Sequence, residues 1–142
     1  MSTTGLQVFD QTLQLTNIWL KSLMEKQGWT DRHRAYLALR ATLHALRDRM
    51  NPDEAAHLGA QLPMLVRGFY FEGWHPAGKP LKERSKGEFL AHIRKAMPGD
   101  PDLDPERIAR GVFSLLADRV TAGEIADVKQ TLPKGVRDLW PV

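Results

Sequence analysis

The sequence predicts an all-α domain built from two copies of one helical unit of about 70 residues. Three observations carry this: an ungapped internal match, apolar positions at helical spacing, and helix-start signals at matching places. Sliding the chain on itself by 70 residues pairs Arg40 with Arg110, Leu46 with Leu116, and Asp48-Arg49 with Asp118-Arg119. The same shift pairs Glu54 with Glu124, Ala56 with Ala126, Leu62-Pro63 with Leu132-Pro133, and Val66-Arg67 with Val136-Arg137. That is 10 identities over positions 40–67, where chance supplies about two, so the register reads as a duplication.

Each unit divides into three helical stretches. The first covers about 5–27, with 86–97 as its counterpart, opened by Ser85-Lys86-Gly87-Glu88. The second covers about 31–50 and 105–120. Tyr36, Leu39, Leu43, Leu46 and Met50 recur at steps of three and four, which places them on one stripe of a helix. Their counterparts Ala109, Phe113, Leu116 and Val120 are apolar again, and Asp104-Pro105-Glu106 opens the segment. The third stretch covers about 52–72 and 122–139. Asn51-Pro52-Asp53-Glu54 provides an N-cap, a first-turn proline and acids; Thr121-Ala122-Gly123-Glu124 reads as a capping box. Pro63 and Pro133 lie inside these third stretches, and an interior proline costs roughly 3 kcal/mol, so a break is expected at each. No segment alternates with β-branched enrichment, so no strands are expected. Repeat one spans about 5–76 and repeat two about 85–142, within a single bundle-like domain covering 1–142.

Composition excludes several classes of chemistry. The chain has 142 residues, a net charge of +3 and no cysteine, which removes disulfides, thiol catalysis and thiolate metal sites. No apolar run approaches the ~20 residues of a membrane span. The opening MSTTGLQVFD lacks a basic start and a continuous apolar stretch. These features predict a cytoplasmic protein with no membrane insertion.

With these residues in view, the chain resembles a bacterial family catalogued as domain of unknown function 2267. The resemblance is carried by LRATLHALRDRM (39–50), PDEAAHLGAQLPMLVRGFYFEGWHP (52–76) and LPKGVRDLWP (132–141). It implies helical architecture and a duplicated unit, and it implies no reaction, ligand or partner.

Glu54-Ala-Ala-His57 and its counterpart Glu124-Ile-Ala-Asp127 have the spacing of helical carboxylate metal sites. Both glutamates stand three residues after an N-cap, so capping explains them, and no metal or other cofactor is expected there. Asp100, Asp102 and Asp104 alternate like the start of a calcium loop, but Pro105 and Gly111 occupy the positions that need glycine and an acid. They read as a helix N-cap flanked by solvated acids. The histidines His33, His44, His57, His75 and His92 form no zinc motif, and no nucleophile elbow, P-loop or dinucleotide pattern occurs. No catalytic residue is assigned. The recurring Asp48/Asp118, Arg49/Arg119 and Arg67/Arg137 are expected to clamp each second helix to the next.

Lys79, Lys82, Arg84, Lys86, Arg94 and Lys95 make a basic stretch that could hold nucleic acid or another anionic ligand. Without interleaved aromatics it reads rather as a solvated linker and helix face. Phe69-Tyr70-Phe71 and Trp74, with Trp140 in the second copy, spread around a helix more widely than one core face covers. They are therefore the interface candidates. The function expected is a non-enzymatic interaction or self-assembly module, binding a protein partner or itself as a homodimer.

Overall fold

The computed structural model describes residues 2–142, and its regular elements are eight α-helices with no strand among the described residues. In chain order they are α1 (Gln7–Gln27), α2 (Arg32–Arg47), α3 (Pro52–Ala60), α4 (Met64–Phe71), α5 (Lys86–Ala96), α6 (Pro105–Arg119), α7 (Ala122–Gln130) and α8 (Lys134–Arg137).

The N-cap residues act as read, although the capping box expected at Thr121 forms only its Thr121 half. Asn51, Thr121 and Asp104 each accept a hydrogen bond from the backbone N–H three residues on, and Asp31 does the same for α2. Ser85 and Glu88 form a reciprocal capping box at α5. Gly28 ends α1 in the left-handed conformation at φ +72°, where a side chain would be strained, and Trp29 N–H closes on Met24 O at 2.9 Å.

Pro63 and Pro133 fall in the gaps between α3 and α4 and between α7 and α8. The helix before each stops because the proline ring would clash with the preceding turn. Each proline then stands immediately before a new helix. α3 and α7 have nine residues apiece and begin 70 residues apart.

α2 is the axis of the molecule, packed against α1, α4, α5 and α6. Leu39, Leu43, Leu46 and Met50 are all fully buried, and so are Ala109, Phe113 and Leu116 of α6. α6 also packs on α1, α5 and α7, while α3 packs on α4 and α7. One continuous core therefore joins both halves.

Candidate functional site

Three of the five aromatic interface candidates are buried inside the chain. Tyr70 is fully buried and its hydroxyl donates to Ala55 O at 2.7 Å. Phe69 is buried edge-on to Tyr36, with ring centres 5.3 Å apart. Trp140 is buried in a stack on Phe113, 4.1 Å away at 7°. Phe71 and Trp74 are half-buried against one another and the core. α4 presses on α2 with one side and on α3 with another, so it has two buried faces where the sequence argument allowed one. Tyr70 and Trp140 are thus covered, Phe69 keeps only an edge at an open groove, and Phe71 and Trp74 keep part of their surface.

The basic stretch is partly consumed as well. Arg84 donates to Thr131 O, and Lys86 pairs with Glu106 at 2.9 Å. Near α5, a groove of about 460 Å³ is lined by the buried Arg49 and by Lys95, Glu83 and Glu88, so its charges are mixed. Burial and the neighbouring Arg49 hold the His92 imidazole there below its ordinary pKa.

The recurring charges do different work from the clamp expected. Asp48 pairs with its neighbour Arg47 at 3.0 Å, and Asp118 pairs with Lys26 of α1 at 2.9 Å. Arg49 is buried and donates to Ala45 O and the backbone of Glu88. Arg67 donates to Gly59 O and Leu62 O, and Arg137 to Leu132 O. The two arginines thus hold carbonyls freed where the chain breaks at each proline. Asp100 is no solvated acid either: Arg34 grips both its oxygens, at 2.7 and 3.0 Å.

The capping assignment for Glu54 and Glu124 also needs correction. Their backbone N–H groups are capped, yet neither carboxylate returns to its N-cap residue. Thr121 N–H donates instead to Gln61 Oε1, from the other half of the chain. The two carboxylates converge across the α3–α7 contact. One atom each from Glu54, His57 and Glu124 lies within 4.8 Å of the other two. Glu54 Oε1 and Glu124 Oε2 are buried with no hydrogen-bond partner. Desolvation, followed by the facing Glu54, pushes the Glu124 carboxyl up to about 7. His57 stands 3.9 Å from Glu54 and is mostly exposed, at 69%, while the Glu54 side chain is 13% exposed.

The free apolar surface lies in a region the sequence reading passed over. On α1 the residues Phe9, Leu13, Thr16, Leu20, Leu23 and Gln27 share one stripe by their spacing. Thr16, Leu20, Leu23 and Gln27 are buried, but Phe9 is 45% and Leu13 38% exposed. The helix therefore carries its core stripe beyond the edge of the bundle. Leu6 and Val8 are exposed on the same end, and Met64 and Leu65 at the start of α4. Leu65 N–H donates to Thr12 Oγ1 at 2.9 Å, which sets α4 beside this overhang. A groove of about 510 Å³ adjoins it, with Leu13, Leu20, Tyr36, Leu65 and Phe69 in its wall beside the polar Arg32, His33 and Glu72.

Fold and surface together define a helical domain with one continuous core and an unpartnered apolar end. The chain belongs to the family of uncharacterized conserved proteins with domain of unknown function 2267, which matches residues 16–139. The first two turns of α1 precede the matched region. No curated protein matches the chain. Among the described residues no helix is long and apolar enough to cross a membrane.

Proposed function

We propose that the protein is a non-enzymatic helical self-assembly module whose contact surface is the overhanging end of α1 with the start of α4. The carrying observation is the stripe that is buried from Thr16 onward and exposed at Phe9 and Leu13. Partly exposed large apolar side chains in a contiguous set mark interaction surfaces. A second copy is the occupant that fits best, because the surface holds both a ridge and a groove. In a twofold pair, the α1 ridge of each copy enters the groove of the other, and one patch serves both sides. The area agrees. Leu6, Val8, Phe9, Leu13, Met64 and Leu65, at 38–51% exposure, offer roughly 500 Å² of apolar surface, close to the apolar share of about 800 Å² per partner in a standard interface.

The same reading takes the domain as two copies of one unit, supported by the 70-residue register of α3 and α7 and by the matching carbonyl bonds of Arg67 and Arg137. A cytoplasmic setting belongs to this reading and rests on the cysteine-free composition.

Light scattering of the purified protein over micromolar to millimolar concentration should give the mass of two chains. Phe9→Asp combined with Leu13→Asp should give a monomer with unchanged helical circular dichroism. A wild-type monomer throughout the range ends this reading, as does a double variant that stays dimeric.

A further inference from the structure

Two carboxylates placed face to face in a partly buried contact are stable only with a shared proton or a bound cation between them. Among the described residues neither Glu54 nor Glu124 has a Lys or Arg within ion-pair distance, and the nearest basic group is the His57 imidazole. Glu54 Oε1 and Glu124 Oε2, both buried and without hydrogen-bond donors, point to an acceptor set that the chain itself does not complete. Helix capping does not occupy these oxygens: Thr121 N–H bonds to Gln61 rather than to Glu124, and the Asn51 cap of α3 has no reciprocal bond to the Glu54 carboxylate.

We propose that Glu54, His57 and Glu124 form a binding site for a divalent transition-metal cation of the Zn²⁺ type. The donor set of one imidazole and two carboxylates suits such an ion, whereas Mg²⁺ and Ca²⁺ favour oxygen alone. The spacing suits it too. In a tetrahedral site, metal–ligand bonds of about 2.0–2.2 Å put the ligand atoms roughly 3.4 Å from one another. The present set lies within 4.8 Å, so closure takes side-chain shifts of roughly 1–1.5 Å, within reach of the solvent-facing His57 ring. Each ligand-bearing helix is fixed by a capped N-terminus, at Asn51 and at Thr121. Three protein ligands leave a position open on the solvent side for water, and Asp127, one turn along α7, is near enough for its charge to act on Glu124. Such an ion joins α3 to α7 and so links the two halves of the chain.

The test is calorimetric titration of chelator-stripped full-length protein with Zn²⁺ alone, paired with thermal denaturation with and without Zn²⁺. Saturable one-to-one binding and a raised melting temperature are expected. Glu54→Gln, Glu124→Gln and His57→Ala should each weaken binding by about tenfold or more, since even outer-sphere partners of a metal contribute on that scale. The two Gln variants remove a facing negative charge, so without metal they should melt at or above the wild-type temperature while losing the Zn²⁺ response. This combination separates loss of a ligand from loss of the fold. The proposal is overturned if no saturable binding occurs, if binding persists unchanged in Glu124→Gln and His57→Ala, or if Mg²⁺ raises the melting temperature where Zn²⁺ does not.

Discussion

The corner formed by α3 and α4 and the corner formed by α7 and α8 start alike and finish differently. Both open with a capped nine-residue helix, break before a proline, and use an arginine to hold the carbonyls at the break. Beyond that point α4 runs for eight residues and α8 for four. The difference lies in what reaches the end of the helix from outside. Arg47 of α2 donates to Tyr70 O at 2.6 Å and Glu72 O at 2.7 Å, and His44 meets Phe69 O at 2.6 Å. Seventy residues later Ala117 and Ser114 stand in place of Arg47 and His44. Arg110 gives α8 a single bond, to Asp138 O. A helix start is therefore a local property that travels with the repeat, whereas a helix end depends on donors supplied by another element.

Three further pairs follow the same division. Gly59 lies under the Phe71 ring, where a Cβ would come within 2.5 Å of its Cζ. Its counterpart is Lys129, and Phe71 is matched by Pro141, so no ring demands a glycine there. Tyr70 finds Ala55 O for its hydroxyl, whereas its counterpart Trp140 has a buried Nε1 with no partner. Arg67 makes two carbonyl bonds and Arg137 one.

Substitutions can break this comparison, and Arg47→Ala has the largest expected effect. It strands the carbonyls of Tyr70 and Glu72 in a mostly buried site and should cost about 3 kcal/mol in urea denaturation. A loss under half a kilocalorie would mean that α4 needs no outside donor. Next comes Gly59→Ala, which forces the Phe71 ring aside and should cost about 2 kcal/mol. Lys129→Ala, at the matching place, should stay within about 0.5 kcal/mol of wild type. Equal effects at the two positions would remove the packing explanation. Tyr70→Phe leaves Ala55 O without its donor and should cost about 1 kcal/mol, with the ring packing retained. A neutral result would show that water replaces the hydroxyl. The smallest effects sharpen the likeness rather than the contrast. Arg67→Ala should cost about 1 kcal/mol and Arg137→Ala about half that, in proportion to the carbonyls each releases; the reverse order would contradict the geometry.

Much of the fold was legible because its signals are local. Asn51, Ser85, Asp104 and Thr121 announce helix starts by their own side chains, and Pro63 and Pro133 announce breaks by their rings. The candidate sites were less legible. The Glu54-x-x-His57 and Glu124-x-x-Asp127 spacings could be seen in the chain, but the packing of α3 on α7 brings the two glutamates together, and no spacing within either segment encodes that contact. Phe69, Tyr70 and Phe71 looked like surplus aromatics because a helix was assumed to bury one side, and α4 buries two. The exposed end of α1 carries the same stripe as its buried end, so the pattern could not tell them apart.

The sequence by itself determined where helices begin, where they break and which stripe of each is apolar, since capping, ring sterics and a 3.6-residue period act within a few neighbouring residues. Tertiary structure alone decided how far α4 and α8 extend, which aromatics are covered, where two glutamates meet and where an apolar stripe runs out of partners. Those outcomes depend on groups tens of residues away, and burial is a property of what lies opposite a side chain rather than of the side chain itself.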